Sequence, residues 1–442
     1  MPFSLMQAFD LQDAHTPQLI AFTGAGGKSS LMFALAGSLP GTIVLTTTTH
    51  MGREQIEEGA ASIPAAIARY PQTGAISCTR ITAVIGPDVE DGKVAGVTPD
   101  VPGQLLAQNE IAFVLVEADG ARRLPLKAPA EHEPAIPPEA TLVVPVAGID
   151  AVGRPISEAA HRPQLVAQLL AKGANDPVTA ADLAALTIHP RGGLKGVPAS
   201  AKFIPAINKV ESEAQLAAAR EAARAMLEEP RVRQVALTAA EQPQPVIEVW
   251  RRVTAVILAA GESSRMGSPK MLLPWGDTTV LGRTIAHVQD SAVFDALVVS
   301  GAAAEAVAPI VEAAGLPLFY NAQYASGEML SSLQTALRAL PPAADAVLVV
   351  LGDQPLVEAE TINEILVAYA QGRGTIIAPQ YNNRRGNPVL IDRRHFEALL
   401  ALPAGAAPRD LLRREPVHMV EVCSESVLLD IDDPETYEQL KP

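Results

Sequence analysis

The feature that most constrains this chain is an apolar run of strand length that ends in a glycine-rich turn and continues as a helical pattern. This arrangement occurs twice: residues 19–22 lead into TGAGGKSS, and residues 254–258 lead into AAGESSRMGSPK. Further apolar runs of strand length lie at 42–46, 112–116, 296–299 and 346–351. Strands that alternate with helices build parallel sheets. The sequence therefore predicts an α/β protein.

The two glycine-rich turns predict two domains, for which 442 residues are sufficient. The stretch EQPQPVIEVWRRV, residues 241–253, interrupts the alternation with two prolines before the second turn, and we interpret its first part, EQPQPVIEVW, as a short linker. The predicted domains are residues 1–250 and 251–442. Between residues 125 and 205 the prolines indicate loops with short helices, one of them at 163–172.

Composition excludes several classes of protein. The chain has 34 Lys and Arg against 49 Asp and Glu, a net charge of −15, which argues against nucleic acid as a partner. Its two cysteines, Cys78 and Cys423, form no CxxC pair, so a disulfide framework or a zinc knuckle is not expected. No apolar stretch approaches the ~20 residues of a membrane span, and the first residues do not resemble a secretory signal. We therefore expect a cytoplasmic protein with no membrane partner.

The first glycine-rich turn predicts a phosphate site. Backbone N–H groups at the start of a helix cradle phosphates, a lysine adds charge, and a serine hydroxyl can bind Mg²⁺. The standard P-loop pattern requires glycine at position 22, where this chain has Phe22, so the loop is tighter and resembles that of the Mur ligases. A glycine turn that merely packs strand against helix is the alternative. The predicted residues are Gly24, Gly26, Gly27, Lys28, Ser29 and Ser30.

Two later segments extend this P-loop-like prediction. AFVLVEADGA ends a buried strand with Glu117 and Asp119, and Asp119 joins Ser29 as a predicted metal ligand, although a turn acid that caps the next element is an alternative. FIPAINKVESE resembles the N-K-x-D guanine-binding motif of GTPases, with Glu211 in place of the aspartate. It adds Asn208 and Lys209 as predicted nucleotide ligands, unless the segment is only a strand-to-helix turn. The first domain should thus bind an NTP, either GTP or ATP.

Four segments, TGAGGKSS, TTTTHM, VEADGARRLPLKAP and INKVES, together resemble the YqeC family over about residues 15–240. Proteins of this family are associated with selenium-dependent molybdenum hydroxylases. The resemblance implies a nucleotide-binding accessory domain. It also implies a molybdenum hydroxylase apoenzyme as a partner.

The second glycine-rich turn predicts a site for a nucleoside triphosphate. Arg265 and Lys270 follow the strand closely, where cations would neutralise a triphosphate whose α-phosphorus is attacked. A dinucleotide-binding G-x-G-x-x-G is absent, so NAD is not favoured. The other predicted nucleotide-binding residues are Leu258, Ala259, Ala260, Gly261, Ser263, Ser264 and Gly267.

Aspartates after two apolar segments predict magnesium ligands. Asp353 follows the apolar run AVLVVLG, and LLDIDDPETY supplies Asp432 as a second ligand with Asp430 in support. Asp433 is instead expected to cap the helix that begins at the following proline.

The string L-A-A-G-x-S-S-R-M-G-x-x-K resembles the signature of MobA-like nucleotidyltransferases, and the resemblance covers about residues 252–440. GDQP and DIDDPE match two further family motifs. NAQYASGEMLSSLQTAL resembles the G-M-x-x-S loop before a helix, with Glu328 inserted, and implies substrate contacts by Ser331 and Ser332. PQYNNRRGNP implies substrate contacts by Gly386 and Pro388, although a hairpin turn made by NNRRGN is the alternative.

This resemblance implies a doubly wound, Rossmann-like transferase domain, and LAAG in place of LAGG resembles the cytidylyl branch. The implied reaction joins CTP to a molybdopterin-type cofactor, giving the cytosine dinucleotide form and pyrophosphate. Arg265, Lys270 and Asp353 would be the catalytic residues, with Mg²⁺ as the cofactor. Two alternatives stay open: a sugar or polyol phosphate as the acceptor, and a non-enzymatic, NTP-gated cofactor carrier.

Overall fold

The computed structural model describes residues 2–63, 65–70, 80–89, 92–108, 110–263 and 266–442. It divides into two compact units, Pro2–Trp250 and Arg251–Pro442. In these ranges, no helix combines the length and the apolar character that crossing a membrane requires.

The first unit is built on one large sheet with helices packed on it. Its strands are β1 (Gln18–Gly24), β2 (Ile43–Thr47), β3 (Met51–Gly52), β4 (Ala66–Arg69), β5 (Ile81–Ile85), β6 (Asp88–Val89), β7 (Lys93–Val94), β8 (Phe113–Glu117), β9 (Leu126–Lys127), β10 (Leu142–Gly148), β11 (Ala160–His161), β12 (Lys202–Phe203), β13 (Ala206–Asn208), β14 (Gln234–Thr238) and β15 (Val246–Arg251). Its helices are α1 (Leu5–Ala8), α2 (Lys28–Ser38), α3 (Arg53–Ser62), α4 (Val101–Leu106), α5 (Ile156–Ala159), α6 (Pro163–Leu170), α7 (Ala180–Thr187) and α8 (Glu213–Leu227).

The strand order of the large sheet places the predicted phosphate loop at its centre. The order is β15-β14-β13-β10-β1-β8-β2-β5-β4, and β12 also pairs with β10. Strand β1 runs parallel to both of its neighbours, β10 and β8. Every residue of β8 and β10 is buried, as expected for parallel strands covered on both faces. The carboxyl ends of β1, β8 and β10 therefore meet at one edge of the sheet.

The second unit contains a smaller sheet of mixed direction and a separate pair of strands. Its strands are β16 (Val253–Ala259), β17 (Pro274–Trp275), β18 (Thr278–Thr279), β19 (Asp295–Ser300), β20 (Leu318–Tyr320), β21 (Ala346–Leu351), β22 (Ile376–Tyr381), β23 (Arg384–Arg385), β24 (Val389–Asp392) and β25 (His418–Glu421). Its helices are α9 (Val280–Asp290), α10 (Ala304–Ala313), α11 (Tyr324–Ala339), α12 (Ala359–Ala370), α13 (Phe396–Leu400), α14 (Pro408–Leu412) and α15 (Pro434–Leu440).

The sheet of the second unit is covered on both faces. Its order is β20-β19-β16-β21-β24-β22-β23, with β25 beside β22. The strands from β20 to β21 are parallel, and β24 is antiparallel to its neighbours. Along β16, Ala255 and Ile257 belong to one hydrophobic core, whereas Val256 and Leu258 belong to another. Alternate side chains thus enter two cores, and the predicted α/β class with parallel-dominated sheets is confirmed.

The interpretation of residues 241–250 as a linker is wrong from residue 246 onward. Residues 246–251 form β15, which extends the large sheet of the first unit. Val246 and Val249 are buried in the core of that unit. Glu248 is fully buried, and it accepts hydrogen bonds from Arg220 and from the indole of Trp250. Alternating apolar residues after the prolines favour a strand, and the prolines obscured that signal.

Candidate functional site

The glycine loop of the first unit needs glycine because the backbone of β10 lies against it. Gly24, Gly26 and Gly27 all have positive φ, of 85°, 80° and 104°. A Cβ on Gly26 would overlap the backbone at Ala147 and Gly148. The loop is therefore pressed onto the end of β10, an approach that only residues without a side chain permit.

Protein groups already bind the first three N–H groups of this loop. The N–H of Gly24 donates to Asp119 Oδ2 over 3.1 Å, and that of Ala25 donates to the Val146 carbonyl over 2.8 Å. The N–H of Gly26 donates to the Leu124 carbonyl over 3.1 Å. The predicted phosphate site is therefore left with the N–H groups that follow, at the start of α2, where the helix dipole favours an anion.

The Lys28 ammonium, at the start of α2, is surrounded by hydrogen-bond acceptors. Its ammonium donates to the Gly24 carbonyl over 2.7 Å and lies 3.3 Å from Asp119 and 3.9 Å from Glu117. Lys28 and the two acids are buried. The structure therefore brings together the predicted residues Lys28 and Asp119, with Glu117 beside them.

Ser29 contacts Glu117 rather than Asp119. Its hydroxyl donates to Glu117 Oε2 and accepts from the Gln55 amide. Burial raises the pKa of the Glu117 carboxyl above its ordinary value, although Lys28 and Ser29 act in the opposite direction. Sequence reasoning missed Gln55, which no motif marks.

The first unit offers oxygen atoms that suit Mg²⁺. Asp119 Oδ1 and the Thr23 hydroxyl are both buried without a hydrogen-bond partner. Thr23 lies near the end of β1, and Asp119 follows the adjacent strand β8. Asp119 Oδ1 is ion-paired with Lys28 over 3.3 Å, and neither oxygen makes a hydrogen bond. Buried oxygens without a hydrogen bond are costly, and carboxylate and hydroxyl oxygens are ligands that Mg²⁺ accepts. The donor set fits the predicted metal, with Asp119 and Ser29 as the side chains that would hold it.

A chain of ion pairs runs from the loop into the region after β8. Asp119 lies 3.0 Å from Lys127, which lies 2.8 Å from Glu133, and Glu133 lies 2.7 Å from Arg162. The Lys127 ammonium also donates to the Gly120 carbonyl. Sequence reasoning missed Lys127, Glu133 and Arg162, because their spacing along the chain matches no known pattern.

Acidification is expected to destabilise the first unit through Glu133. Burial alone would raise its pKa, but hydrogen bonds from Arg162 and Lys127 lower the pKa from 4.5 to about 2. The ion pairs therefore stabilise the fold above pH 4.5. This contribution, roughly 3 kcal/mol at about 1.4 kcal/mol per pKa unit, is lost as the pH falls from about 4.5 to about 2. Urea unfolding at a series of pH values in this range should show that the free energy of unfolding declines less for Glu133→Gln than for the wild type. Identical declines would contradict the prediction.

Asn208 connects three segments around the loop. Its amide donates to the Gly26 carbonyl over 2.9 Å, and its Oδ1 accepts from the Thr238 hydroxyl and the Ala240 N–H, both over 3.0 Å. Next to it, the Lys209 ammonium lies 2.9 Å from Asp150 Oδ2. A cavity of about 290 Å³ adjoins these residues, and its lining comprises Gly27, Asp150, Asn208, Lys209, Glu211, Gln215, Ala240 and Glu241.

The other predicted polar groups of the first unit are bound locally. The Ser30 hydroxyl donates to Glu241 over 3.2 Å. In the threonine run at the end of β2, hydroxyls donate to backbone carbonyls: Thr46 to Val84 and Thr48 to Ala135. These threonines therefore hold the backbone at the sheet edge.

The glycine-rich turn of the second unit leaves β16 beside β21. Leu258 and Ala259 end β16, Ala260 and Gly261 follow it, and the Leu258 carbonyl accepts from the Gly352 N–H over 3.0 Å. Farther along, the Ser263 hydroxyl accepts from the Lys270 N–H over 3.1 Å. Gly267 has a φ of 69° and open space where a side chain would stand. The predicted residues Ser264 and Arg265 lie outside the described residues.

Lys270 joins the two segments that carry the predicted metal ligands. Its ammonium donates to Asp353 Oδ2 and, over 2.9 Å, to Asp432 Oδ1. Burial alone would lower the pKa of Lys270, but Asp353 and Asp432 raise it above its ordinary value. The Asp353 carbonyl also accepts from the Ile431 N–H over 3.0 Å, which holds the two segments together. Three residues separated by up to 162 positions thus converge on one point.

Asp430 lies beside this point but faces a different partner. Its Oδ1 accepts from the Gln354 amide over 3.0 Å, and burial raises the pKa of Asp430 above its ordinary value. Asp433 accepts from the Thr436 N–H over 2.8 Å and caps α15, so its predicted capping role is confirmed.

The residues of the second unit also suit Mg²⁺, which would receive only a few of its ligands from the protein. Across the described part of the chain, no three His, Cys, Asp or Glu side chains form a cluster that could hold a metal ion. Mg²⁺ commonly uses one or two carboxylates and completes its shell with phosphate oxygens and water. Asp353 and Asp432, which share Lys270, match that requirement.

The segment that contains Ser331 and Ser332 is helical, which corrects the expectation of a loop. Helix α11 spans Tyr324–Ala339, and Leu333 and Leu337, one turn apart, pack into a hydrophobic core. Both serines are buried, and their hydroxyls accept from the Asn321 amide over 2.7 and 3.0 Å. Asn321 positions them, and sequence reasoning missed it although it begins the quoted motif.

The segment with Gly386 and Pro388 contains a hairpin, as the alternative interpretation had it. Strands β22 and β23 pair antiparallel across Asn382 and Asn383, both with positive φ. A Cβ on Gly386 would overlap Val427 of the same unit. Internal packing therefore accounts for the glycine, and substrate contact at Gly386 and Pro388 stays a prediction.

Comparison with known proteins finds a different family model that matches part of each unit. The family model described as YqeC protein matches residues 20–164, and the model described as MobA-like NTP transferase domain matches residues 255–420. The chain is 35% identical over 207 residues to the uncharacterized protein YqeC of Escherichia coli (strain K12), covering 45% of this chain and 79% of that protein.

Two further proteins resemble the second unit. The molybdenum cofactor cytidylyltransferase of Escherichia coli (strain K12) is 26% identical over 185 residues, covering 42% of this chain and 93% of that protein. Among solved structures, the Rv0371c homolog from Mycobacterium sp. strain JC1 is 36% identical, covering 43% of this chain and 94% of that one, with a TM-score of 0.38.

Proposed function

We propose that this protein acts on a molybdenum cofactor. The premise is that the chain belongs to the YqeC family and is a nucleotidyltransferase through its MobA-like NTP transferase domain. It transfers the cytidylyl group of CTP to the molybdopterin-bound cofactor. The products are the cytosine dinucleotide form of the cofactor and pyrophosphate. The similarity of the second unit to a molybdenum cofactor cytidylyltransferase supports this acceptor.

The observation that carries the proposal is the convergence of Asp353 and Asp432 on the Lys270 ammonium. Lys270 follows the glycine-rich turn, where its charge would neutralise the triphosphate together with Arg265. Mg²⁺, when bound to the two aspartates, would supply further charge neutralisation for the phosphates. Preorganised charge of this kind is a large contribution to phosphoryl-group transfer.

The reaction needs no protein base. A phosphate oxygen of the cofactor attacks the α-phosphorus of CTP, a P–O bond forms there, and the bond to the β-phosphate breaks to release pyrophosphate. Because the attacking phosphate is already ionised at neutral pH, the residues only position it and balance charge. This role suits a site made of one lysine and aspartates.

The first unit would bind Mg²⁺–NTP at its glycine loop and serve the maturation of a molybdenum hydroxylase. Lys28 would contact the phosphates, while Asp119 and Ser29 would hold the metal. Two buried oxygens at the loop that make no hydrogen bond, the Thr23 hydroxyl and Asp119 Oδ1, support this part of the proposal.

One experiment tests the acceptor and the nucleotide together. The full chain is incubated with the molybdopterin-bound cofactor and each NTP in turn, and the products are identified by mass. We expect a cytidylyl adduct and one equivalent of pyrophosphate with CTP only. An adduct with another base, or transfer only to sugar or polyol phosphates, would contradict the proposal. Binding of CTP and cofactor without any adduct would favour the carrier.

A further inference from the structure

The cavity beside the glycine loop of the first unit has a lining that favours hydrogen-bond acceptors. Three carboxylates line it, those of Asp150, Glu211 and Glu241, against the single cation Lys209. Its volume of about 290 Å³ is near the lower limit for small-molecule sites. Gly27 belongs both to the cavity lining and to the loop, so a ligand could place phosphates at the loop and a ring in the cavity.

Asn208 holds the loop that borders this cavity. Its amide nitrogen donates to Gly26, and its oxygen accepts from Thr238 and Ala240. Its amide oxygen already accepts two hydrogen bonds, and losing any of the three bonds would release the loop. Asn208 is therefore a positioning residue, and we look to the other lining groups for base selectivity.

Of the three carboxylates, that of Glu211 makes the fewest hydrogen bonds and ion pairs with the described part of the protein. Asp150 pairs with Lys209, and Glu241 accepts from the Ser30 hydroxyl. The Glu211 N–H donates to Gln215 Oε1 over 2.9 Å, which fixes the turn. Its carboxylate has no hydrogen bond or ion pair to any residue that the structure describes.

We propose that this cavity binds the guanine base of a guanine nucleotide and that the Glu211 carboxylate recognises its N1–H and N2–H groups. This inference rests on the nucleotide site of the proposed function and names its base. A carboxylate offers two acceptors side by side, which matches the two adjacent donors of guanine. Adenine presents the lone pair of N1 beside its amino group, so one carboxylate oxygen would face an acceptor.

The test uses the full chain and a fluorescent GTP analogue, with saturating CTP to occupy the second unit. GTP, ATP and XTP compete for the labelled site. We expect the wild type to prefer GTP to ATP by about 10-fold to 100-fold, the range of one hydrogen bond to a charged group. Glu211→Gln should weaken GTP by a similar factor and strengthen XTP, since the amide can accept from N1–H and donate to the xanthine O2.

Glu241→Gln is the matched control, because it removes the same charge from the same cavity. It should leave the order GTP over ATP and XTP unchanged. Equal binding of GTP and ATP by the wild type would overturn the inference. So would a Glu211→Gln protein that loses GTP without gaining XTP, or a Glu241→Gln protein that gains XTP.

Failure of this inference can be distinguished from failure of the proposed function. Cytidylyl transfer is measured separately on the wild-type protein and reports on the proposed function alone. If GTP and ATP bind equally and Lys28→Ala weakens both, the nucleotide site stands and guanine selectivity is wrong. If neither nucleotide binds, the nucleotide site itself is wrong and this inference falls with it.

Discussion

Asp353→Asn is expected to lower cytidylyl transfer by about 100-fold or more while leaving the fold intact. The substitution removes one negative charge at nearly constant volume from the point where Asp353 and Asp432 share the Lys270 ammonium. A metal ion would then have a single charged ligand, and Lys270 would pair with Asp432 alone. Pyrophosphate release should fall in rate and require more Mg²⁺.

Asp277→Asn is the control for this measurement. Asp277 lies in the same unit and pairs with Arg283, but its side chain is 86% exposed. Its substitution should change neither the rate nor the Mg²⁺ dependence. Turnover like that of the wild type in Asp353→Asn, with unchanged Mg²⁺ dependence, would refute the assignment of Asp353 to the metal.

Lys28→Ala is expected to have two large effects on the first unit and none on cytidylyl transfer. Nucleotide binding should weaken by about 10-fold to 100-fold, because a hydrogen bond to a charged group contributes about 1.5–3 kcal/mol. Stability should fall by about 3 kcal/mol, since removing the lysine leaves the Glu117 carboxyl buried without the Lys28 cation, whereas Asp119 keeps its ion pair with Lys127. Titration with labelled nucleotide and thermal unfolding measure the two effects separately.

Lys202→Ala provides the comparison for Lys28→Ala. Lys202 also pairs with an aspartate, Asp10, but both side chains are about half exposed. A pair of this kind contributes about 0–1 kcal/mol, so stability and nucleotide binding should change little. Equal effects of the two substitutions on stability and nucleotide binding would contradict the role assigned to Lys28 at the loop. Loss of cytidylyl transfer in a folded Lys28→Ala protein would contradict independent sites.

The strands around both sites could be predicted because they are buried on both faces. Apolar runs at 112–116 and 346–351 correspond to β8 and β21 within one residue. A strand covered on both sides must be apolar throughout, so its sequence marks it without further information. The helix predicted at 163–172 is α6, which ends two residues earlier, where Ala171 adopts a left-handed conformation.

Long-range partners could not be predicted in the same way. Lys127, Glu133 and Arg162 meet because β9 and β11 pair, and this pairing brings together residues 34 positions apart. Asn208 resembles a base-binding residue in sequence, and the structure adds that its amide donates to the Gly26 carbonyl of the loop. In both cases the residue type was visible in the sequence, whereas its partner depended on the tertiary fold.

The hydrogen bonds within the glycine loop bear on how quickly and how tightly a ligand can associate. Because Asp119, Leu124 and Val146 already hold the N–H groups of the first three loop residues, the backbone there is ordered before any ligand arrives. Ordering a loop on association subtracts from affinity and slows productive encounters. Here that conformational entropy is lost during folding, so encounter with a ligand begins from a rigid receptor.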